Sequence, residues 1–212
     1  MTVIDHLVVA VPRLDDAIDE FEAATGVRPA AGGAHVGLGT HNALVSFGSG
    51  YVELIAPDPR QPDPPGGRPF GIDDLDNRRL VTFAVRPAPG GTIDDVCRSA
   101  STAGYEPGEP VAMSRRTPDG ELLQWRLTFP RTSWSGIDLH GTVPFVIDWG
   151  DTPMPSSTAP GGLELSAVRI GHRDHETIAA AHRALDVAVD LGDADRPGCA
   201  ARLSGPAGHL DV

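Results

Sequence analysis

Short apolar runs alternate with polar punctuation along this chain, and the period of each run predicts its element. Ile4 to Val11 reads as a strand with one polar intruder, His6, and Pro12 ends it. Leu14, Ala17, Ile18, Phe21 and Ala24 then recur at helical spacing, with acids in the first turns and Gly26 as the stop signal. Val27 to Val36 is a weaker strand with Gly32-Gly33 as a turn, and Leu38 to Phe47 is the next. Gly48-Ser49-Gly50 makes a tight hairpin connection into Gly50 to Pro57. In that strand Val52 and Leu54 point one way, and Tyr51, Glu53 and Ile55 the other.

Residues 57–77, rich in proline and charge, read as a long exposed connector suited to a rim or lid. The pattern then starts again. Arg79 to Pro87 echoes Asp5 to Pro12, and Ile93, Val96, Cys97 and Ala100 give a helical face. Gly104-Tyr105-Glu106-Pro107 echoes Gly26-Val27-Arg28-Pro29 at the matching place after each helix. Leu122 to Phe129 follows a Pro118-Asp119-Gly120 turn, and Pro144 to Trp149 closes the unit. Strand, helix, three strands therefore occurs twice, which is the strongest architectural signal in the chain. A Pro/Ser/Gly-rich linker, Asp151 to Gly162, leads to a strand at Leu163 to Ile170 and a helix at His175 to Leu185. Short strands at Val187 to Val189 and Ala200 to Leu203 complete a βαββ extension. It is expected to pack on the paired units or to serve a homodimer. The expected organisation is a paired-module domain over residues 1–155 and an extension over residues 156–212.

Composition narrows the function classes. With 17 Lys and Arg against 29 Asp and Glu, the formal net charge is −12. That balance disfavours nucleic acid and anionic membrane as partners, since both want a basic face. The N-terminus opens straight into a strand-like run, so no secretory signal is expected, and no apolar stretch is long enough to span a bilayer. Cys97 and Cys199 form no C-x-x-C pair and read as reduced core thiols of a cytoplasmic protein. No phosphate-cradling glycine loop, G-x-S-x-G elbow or cysteine zinc cluster is present.

The candidate chemistry starts from Glu53. A carboxylate in a buried strand needs a metal, a cation or hydrogen-bond donors facing it. If His6 shares its face, imidazole and carboxylate together suit a divalent Fe, Mn, Zn or Ni ion. The competing reading is a His6–Glu53 hydrogen bond without metal. A third ligand would come from Asp148, His35 or His41, and His6, His41 and Glu53 would make a two-histidine, one-carboxylate set. His41 shares the parity of Ala43, Val45 and Phe47, so only a bend near Gly39 would turn it inward. Asn42 and Ser46 are candidate substrate-orienting groups, and Tyr51 a candidate pocket wall; Asn42 also suits a turn cap. Arg126 shares a face with Leu122, Gln124 and Thr128, opposite Leu123, Trp125, Leu127 and Phe129. On the expectation that the apolar face lies under a helix, Arg126 would enter the pocket, to hold an anionic oxygen or to neutralise Glu53 or Asp148. Trp149, in phase with Ile147, reads as core. His172, His175, His182 and His209 read as surface or interface residues.

The repeated unit, with "IDHLVVAV", "GTHNALVSFGSGYVELIAP", "RLVTFAVRP", "WRLTFP" and "PFVIDWG", resembles the glyoxalase-like branch of the vicinal oxygen chelate superfamily. The resemblance covers roughly residues 1–155. It implies an α+β fold in which two βαβββ modules join edge to edge as a curled mixed sheet, with helices outside and a ligand cup inside. It implies one ligand from the first and one from the last strand of each module. His6 and Glu53 match those places in the first module. In the second the places fall at about Leu80, which cannot ligate, and about Asp148, which can. The family includes metal-dependent isomerases, lyases and dioxygenases, with Glu53 or Asp148 available as base. It also includes proteins that sequester a drug or metabolite without turnover. Either way the expected ligand is a small oxygen-rich organic molecule.

Overall fold

The computed structural model describes residues 1–117 and 120–212, so the expected turn at Pro118-Asp119 lies outside the described residues. The first module runs β1 (Thr2–Ala10), α1 (Leu14–Thr25), β2 (Ala30–His35), β3 (Thr40–Ser46) and β4 (Tyr51–Pro57). The connector carries a 3-10 turn at Pro69–Asp74. The second module runs β5 (Arg79–Pro87), α2 (Ile93–Thr102), β6 (Val111–Arg116) and β7 (Leu122–Leu127). A small hairpin, β8 (Ser133–Trp134) and β9 (Ile137–Asp138), intervenes before β10 (Phe145–Asp148). The C-terminal part runs β11 (Glu164–Gly171), α3 (His175–Leu185), β12 (Asp190–Gly192), β13 (Gly198–Gly205) and β14 (Gly208–Asp211).

The expected α+β architecture of two paired βαβββ modules is what forms. One eight-stranded sheet has the order β2-β3-β4-β1-β5-β10-β7-β6, so the modules read symmetrically outward from the central β1–β5 seam. β1 is parallel to β4 and antiparallel to β5, and β10 is parallel to β5. The sheet curls until its edges nearly meet. There the Arg115 guanidinium on β6 donates to the Gly32 carbonyl on β2. Gly32-Gly33 is not a turn: the strand runs through it with a register shift between Ala31 and Gly33. A side chain at Gly32 would strike Asn42 Oδ1.

Alternation splits the sheet into two apolar faces. Leu7, Val9, Val52, Leu54, Ala43, Val45, Phe83, Val85 and Val146 pack outward with Leu14, Ile18 and Phe21 of α1 and Ile93 and Ala100 of α2. Val8, Leu44, Tyr51, Ile55, Ala84, Phe145, Ile147 and Trp149 face the concave side. Gly26 ends α1 at φ 77, its N–H bonding the Glu22 carbonyl.

The extension forms its own sheet, β12-β11-β13-β14, one strand more than the expected βαββ. Its first strand sits inside the sheet, unlike β1 in its module, so it is not a third copy of the repeat. Ile178, Ala181, Leu185, Ala201, Leu203 and Leu210 join the outward core, which seats the extension against the helices. His182 is therefore buried, not a surface group, and its Nε2–H bonds the Thr142 carbonyl at 2.7 Å. His172 is buried too, donating from Nε2 to the Asp138 carbonyl at 2.9 Å and accepting the Asp174 N–H at Nδ1. Among the described residues no helix is long and apolar enough to cross a membrane.

Candidate functional site

The parallel β1–β4 pairing sets His6 opposite Tyr51 and Val8 opposite Glu53. His6 and Glu53 thus stand two residues apart on one face, and both line a concave cavity of about 880 Å³. A register shift between Ile4 and His6 makes Asp5 the extra residue of a bulge on β1. Neighbours in a regular strand point to opposite faces; the bulge lets Asp5 and His6 meet. His6 Nδ1–H donates to Asp5 Oδ1 at 2.7 Å, and Trp149 Nε1–H reaches the same carboxylate at 3.3 and 3.4 Å. That bond fixes the tautomer and leaves the Nε2 lone pair to the cavity, 3.9 Å from Glu53 Oε2. Tyr51 stacks on the imidazole at 4.7 Å and Phe145 meets it edge-on at 5.5 Å, so the ring is held from both sides.

Glu53 Oε1 accepts from Asn42 Nδ2 at 2.5 Å and lies 3.5 Å from His35 Nε2. The same amide nitrogen reaches His35 Nε2 at 3.2 Å, and His35 Nδ1 meets Thr40 Oγ1 at 3.0 Å. An amide NH₂ can only donate, so His35 accepts at Nε2 and donates from Nδ1: it is neutral. Burial pushes its pKa down, and the nearby Glu53 charge only partly opposes this. Asn42 Oδ1 is buried without a partner. Turning the amide over would face that oxygen onto the Glu53 carboxylate, so the orphan is the lesser cost. Burial, with Asp5 and Glu53 nearby, pushes the Tyr51 phenol well above its ordinary range, so it stays a neutral hydroxyl.

The opposite wall is apolar, formed by Trp125, Leu127, Phe145, Ile147 and Trp149. Pairing explains why. Tyr51, the residue opposite His6, is two before Glu53; Phe145, opposite Ala84, is two before Ile147. Ala84 and Ile147 thus occupy the places of His6 and Glu53 in the second module. Neither is a donor, and the expected places at Leu80 and Asp148 are each displaced.

Of the residues singled out from sequence, His6, His35, Asn42, Tyr51 and Glu53 come together in the cavity. Four do not. His41 lies on the helix side of β3, where Asp58, Arg60 and Asp15 are its charged neighbours, so no bend at Gly39 turns it inward. Asp148 faces α2: its Oδ2 accepts the Ile93 N–H at 3.0 Å and its Oδ1 the Gly150 N–H at 3.0 Å. Arg126 also faces α2, in a two-pronged pair with Asp94 at 2.7 and 2.9 Å. Ser46 is buried in the hairpin, accepting the Gly48 N–H and donating to the Gly50 carbonyl. Trp149, expected in the core, is buried in the concave-side apolar cluster and also lines the cavity. Asp5 and Arg115 carried no expectation and both belong to the site. For Asp5 the signal was an acid directly before the strand histidine; for Arg115 it was a cation in phase with Met113 on β6.

A family model described as a glyoxalase-like domain matches residues 4–185. The chain belongs to this family. The chain is similar to a hypothetical protein from Staphylococcus aureus. That likeness has 15% identity and a TM-score of 0.68, and covers 100% of this chain and 86% of that one. A methylmalonyl-CoA epimerase from Mycobacterium tuberculosis shares 17% identity at a TM-score of 0.43, over 68% of this chain and 84% of its own. A methylmalonyl-CoA epimerase in complex with methylmalonyl-CoA and NH4+ shares 19% identity at a TM-score of 0.47, over 73% and 99%. Comparison with curated proteins gives no match.

Among the described residues no three His, Cys, Asp or Glu side chains are gathered as a metal shell. The nearest set is His6 Nε2, Glu53 and His35 Nε2, whose nitrogens lie 3.9 and 3.5 Å from the carboxylate oxygens. Two donors at about 2.1 Å from a tetrahedral ion are roughly 3.4 Å apart. Two imidazoles and a carboxylate are donor types that a divalent ion takes, so the chemistry of the set suits one, although the two nitrogens face different oxygens of Glu53. The Asp5–His6 bond is the kind of outer contact that orients a ligating imidazole.

Proposed function

We propose that this glyoxalase-like protein is an enzyme of the isomerase or lyase type. It would move a proton on a small organic molecule that has an apolar body and one oxygen-bearing end. The observation that carries the reading is the Asp5–His6 pair, which turns the imidazole Nε2 into the cavity beside Glu53 Oε2. A base needs an open lone pair within reach of the substrate and a partner that steadies the charge it gains. His6 Nε2 has the first, and Asp5 at 2.7 Å supplies the second. Glu53 Oε2 is a second proton-accepting atom on the same wall, so a proton lifted by one group can be returned by the other. Asn42 holds Glu53 Oε1 and thereby aims Oε2. The apolar wall grips the body of the substrate and excludes water. A divalent metal held by His6, Glu53 and His35 would supply Lewis-acid polarisation of the substrate oxygen.

A second reading has its own support: Asn42 already spans Glu53 and His35, and the matching strands of the second module bring Ala84 and Ile147 to the places of His6 and Glu53. That is what a metal-free binding protein without turnover requires. Metal analysis of protein purified without chelator separates the two. Near-stoichiometric metal that vanishes in both His6→Ala and Glu53→Ala supports the metal-assisted enzyme. Deuterium exchange into α-C–H carbonyl compounds, lost in Glu53→Gln, supports the enzyme with or without metal. Absence of both, with all variants folded, leaves the binding protein.

A further inference from the structure

Arg115 has no established task. It projects from β6 into the cavity, half-buried, and its only hydrogen bond among the described residues goes to the Gly32 carbonyl. No carboxylate lies within ion-pair distance of it among those residues, although the guanidinium offers five N–H donors. Its charge is felt by Glu53 and Tyr51, so it stands at the polar wall. Burial pulls its pKa down, as expected for a cation taken from water without a full partner. The wider lining agrees. In a chain of net charge −12, the cavity presents Arg79, Arg115 and Arg131 against Glu53 and Asp138. Arg79 and Arg131 are exposed, and Arg115 is the inner one.

We infer that the cavity takes an apolar organic acid whose carboxylate is held by Arg115, with its hydrocarbon or aromatic body against Trp125, Leu127, Ile147 and Trp149. The guanidinium fork matches a carboxylate in planar, two-pronged fashion. An arriving anion satisfies donors that Gly32 leaves open and offsets the cost of keeping the charge out of water. This names the ligand class for the site proposed above and rests on that reading. It places the acid end on the same wall as Glu53 and Tyr51.

The test is binding of 4-phenylbutyrate against 4-phenylbutyramide, read by the fluorescence of Trp125 and Trp149 and by thermal shift. The wild-type protein is expected to prefer the acid by about tenfold or more. Arg115→Gln is expected to lose the preference, and Arg115→Lys, which keeps the charge without the fork, to retain part of it. Equal binding of acid and amide, or neither binding, overturns the inference, as does a full preference in Arg115→Gln. Should Arg115→Gln not fold, an unreduced preference in Arg115→Lys overturns the fork assignment. Glu53→Gln tells this apart from the catalytic reading. An acid preference that persists there, in a protein with no metal and no proton exchange, sinks the catalysis alone. Metal or exchange in the wild type without acid preference sinks the carboxylate alone.

Discussion

The two halves of the cup are the same fold with opposite chemistry. In the first, β1 and β4 bring His6 and Glu53 together, with Asp5, His35 and Asn42 behind them. In the second, the matching pair of strands brings Ala84 and Ile147 to the equivalent places. A sheet face accepts either set because the backbone ladder is indifferent to side chains and each wall needs only to be internally satisfied. Polar groups gathered on one wall support one another. Spread over both, each would face hydrocarbon. Side-chain hydrogen bonds join the halves, among them Trp149 to the Asp5 carboxylate and Arg115 to the Gly32 carbonyl.

Breaking the polar wall has the largest expected effect. Asp5→Asn removes the charge behind His6 and lets an amide NH₂ face Nδ1, which no longer holds the tautomer, and turnover is expected to fall on the order of hundredfold, measured as kcat. A loss of only a few-fold would mean His6 is not the base. Asp148→Ala strikes the second half on its helix side. It frees the first amide of α2 and is expected to cost about 1 kcal/mol and to lower the melting temperature by roughly 3 °C. Ligand affinity should not change; a loss of affinity would return Asp148 to the site.

The pH dependence sharpens the same contrast. Burial lowers the pKa of His35, so the unfolded chain binds a proton more readily than the folded one below about pH 6.5. Stability is therefore complete above that pH and declines as pH falls through it. The urea midpoint should drop between pH 7.5 and pH 5, and His35→Gln should shrink that drop. An unchanged drop would assign it to His41 and His182, whose pKa values burial also lowers. The smallest effect belongs to Arg126→Ala, which breaks an exposed pair with Asp94. Melting and binding should both be unmoved; weakened binding would put Arg126 back in the pocket.

Much of this was legible in the chain. The doubled strand-helix-three-strand order follows from periods that each element carries by itself, whereas the shared face of His6 and Glu53 was conditional on the pairing of β1 with β4. The placing of Arg126 inside shows where that reasoning stops. Alternation along β7 separates Trp125 and Leu127 from Arg126 but does not say which set faces the helix. The rule that polar means pocket holds in the first half and reverses in the second, because β7 turns Trp125 and Leu127 to the cavity and Arg126 to α2. Asp5 was hidden for another reason: period-two logic sends it away from His6, and only a bulge brings it back.

The sequence by itself determined the elements, their repetition and the sidedness of β1 and β4, because hydrophobic period is a local property. The tertiary structure decided which faces enclose the cavity, that Asp5 stands behind His6, and that Arg115 on the far edge strand reaches the Gly32 carbonyl. These depend on register, curl and bulges, which bring together residues as distant in the chain as Gly32 and Arg115 or Asp5 and Trp149.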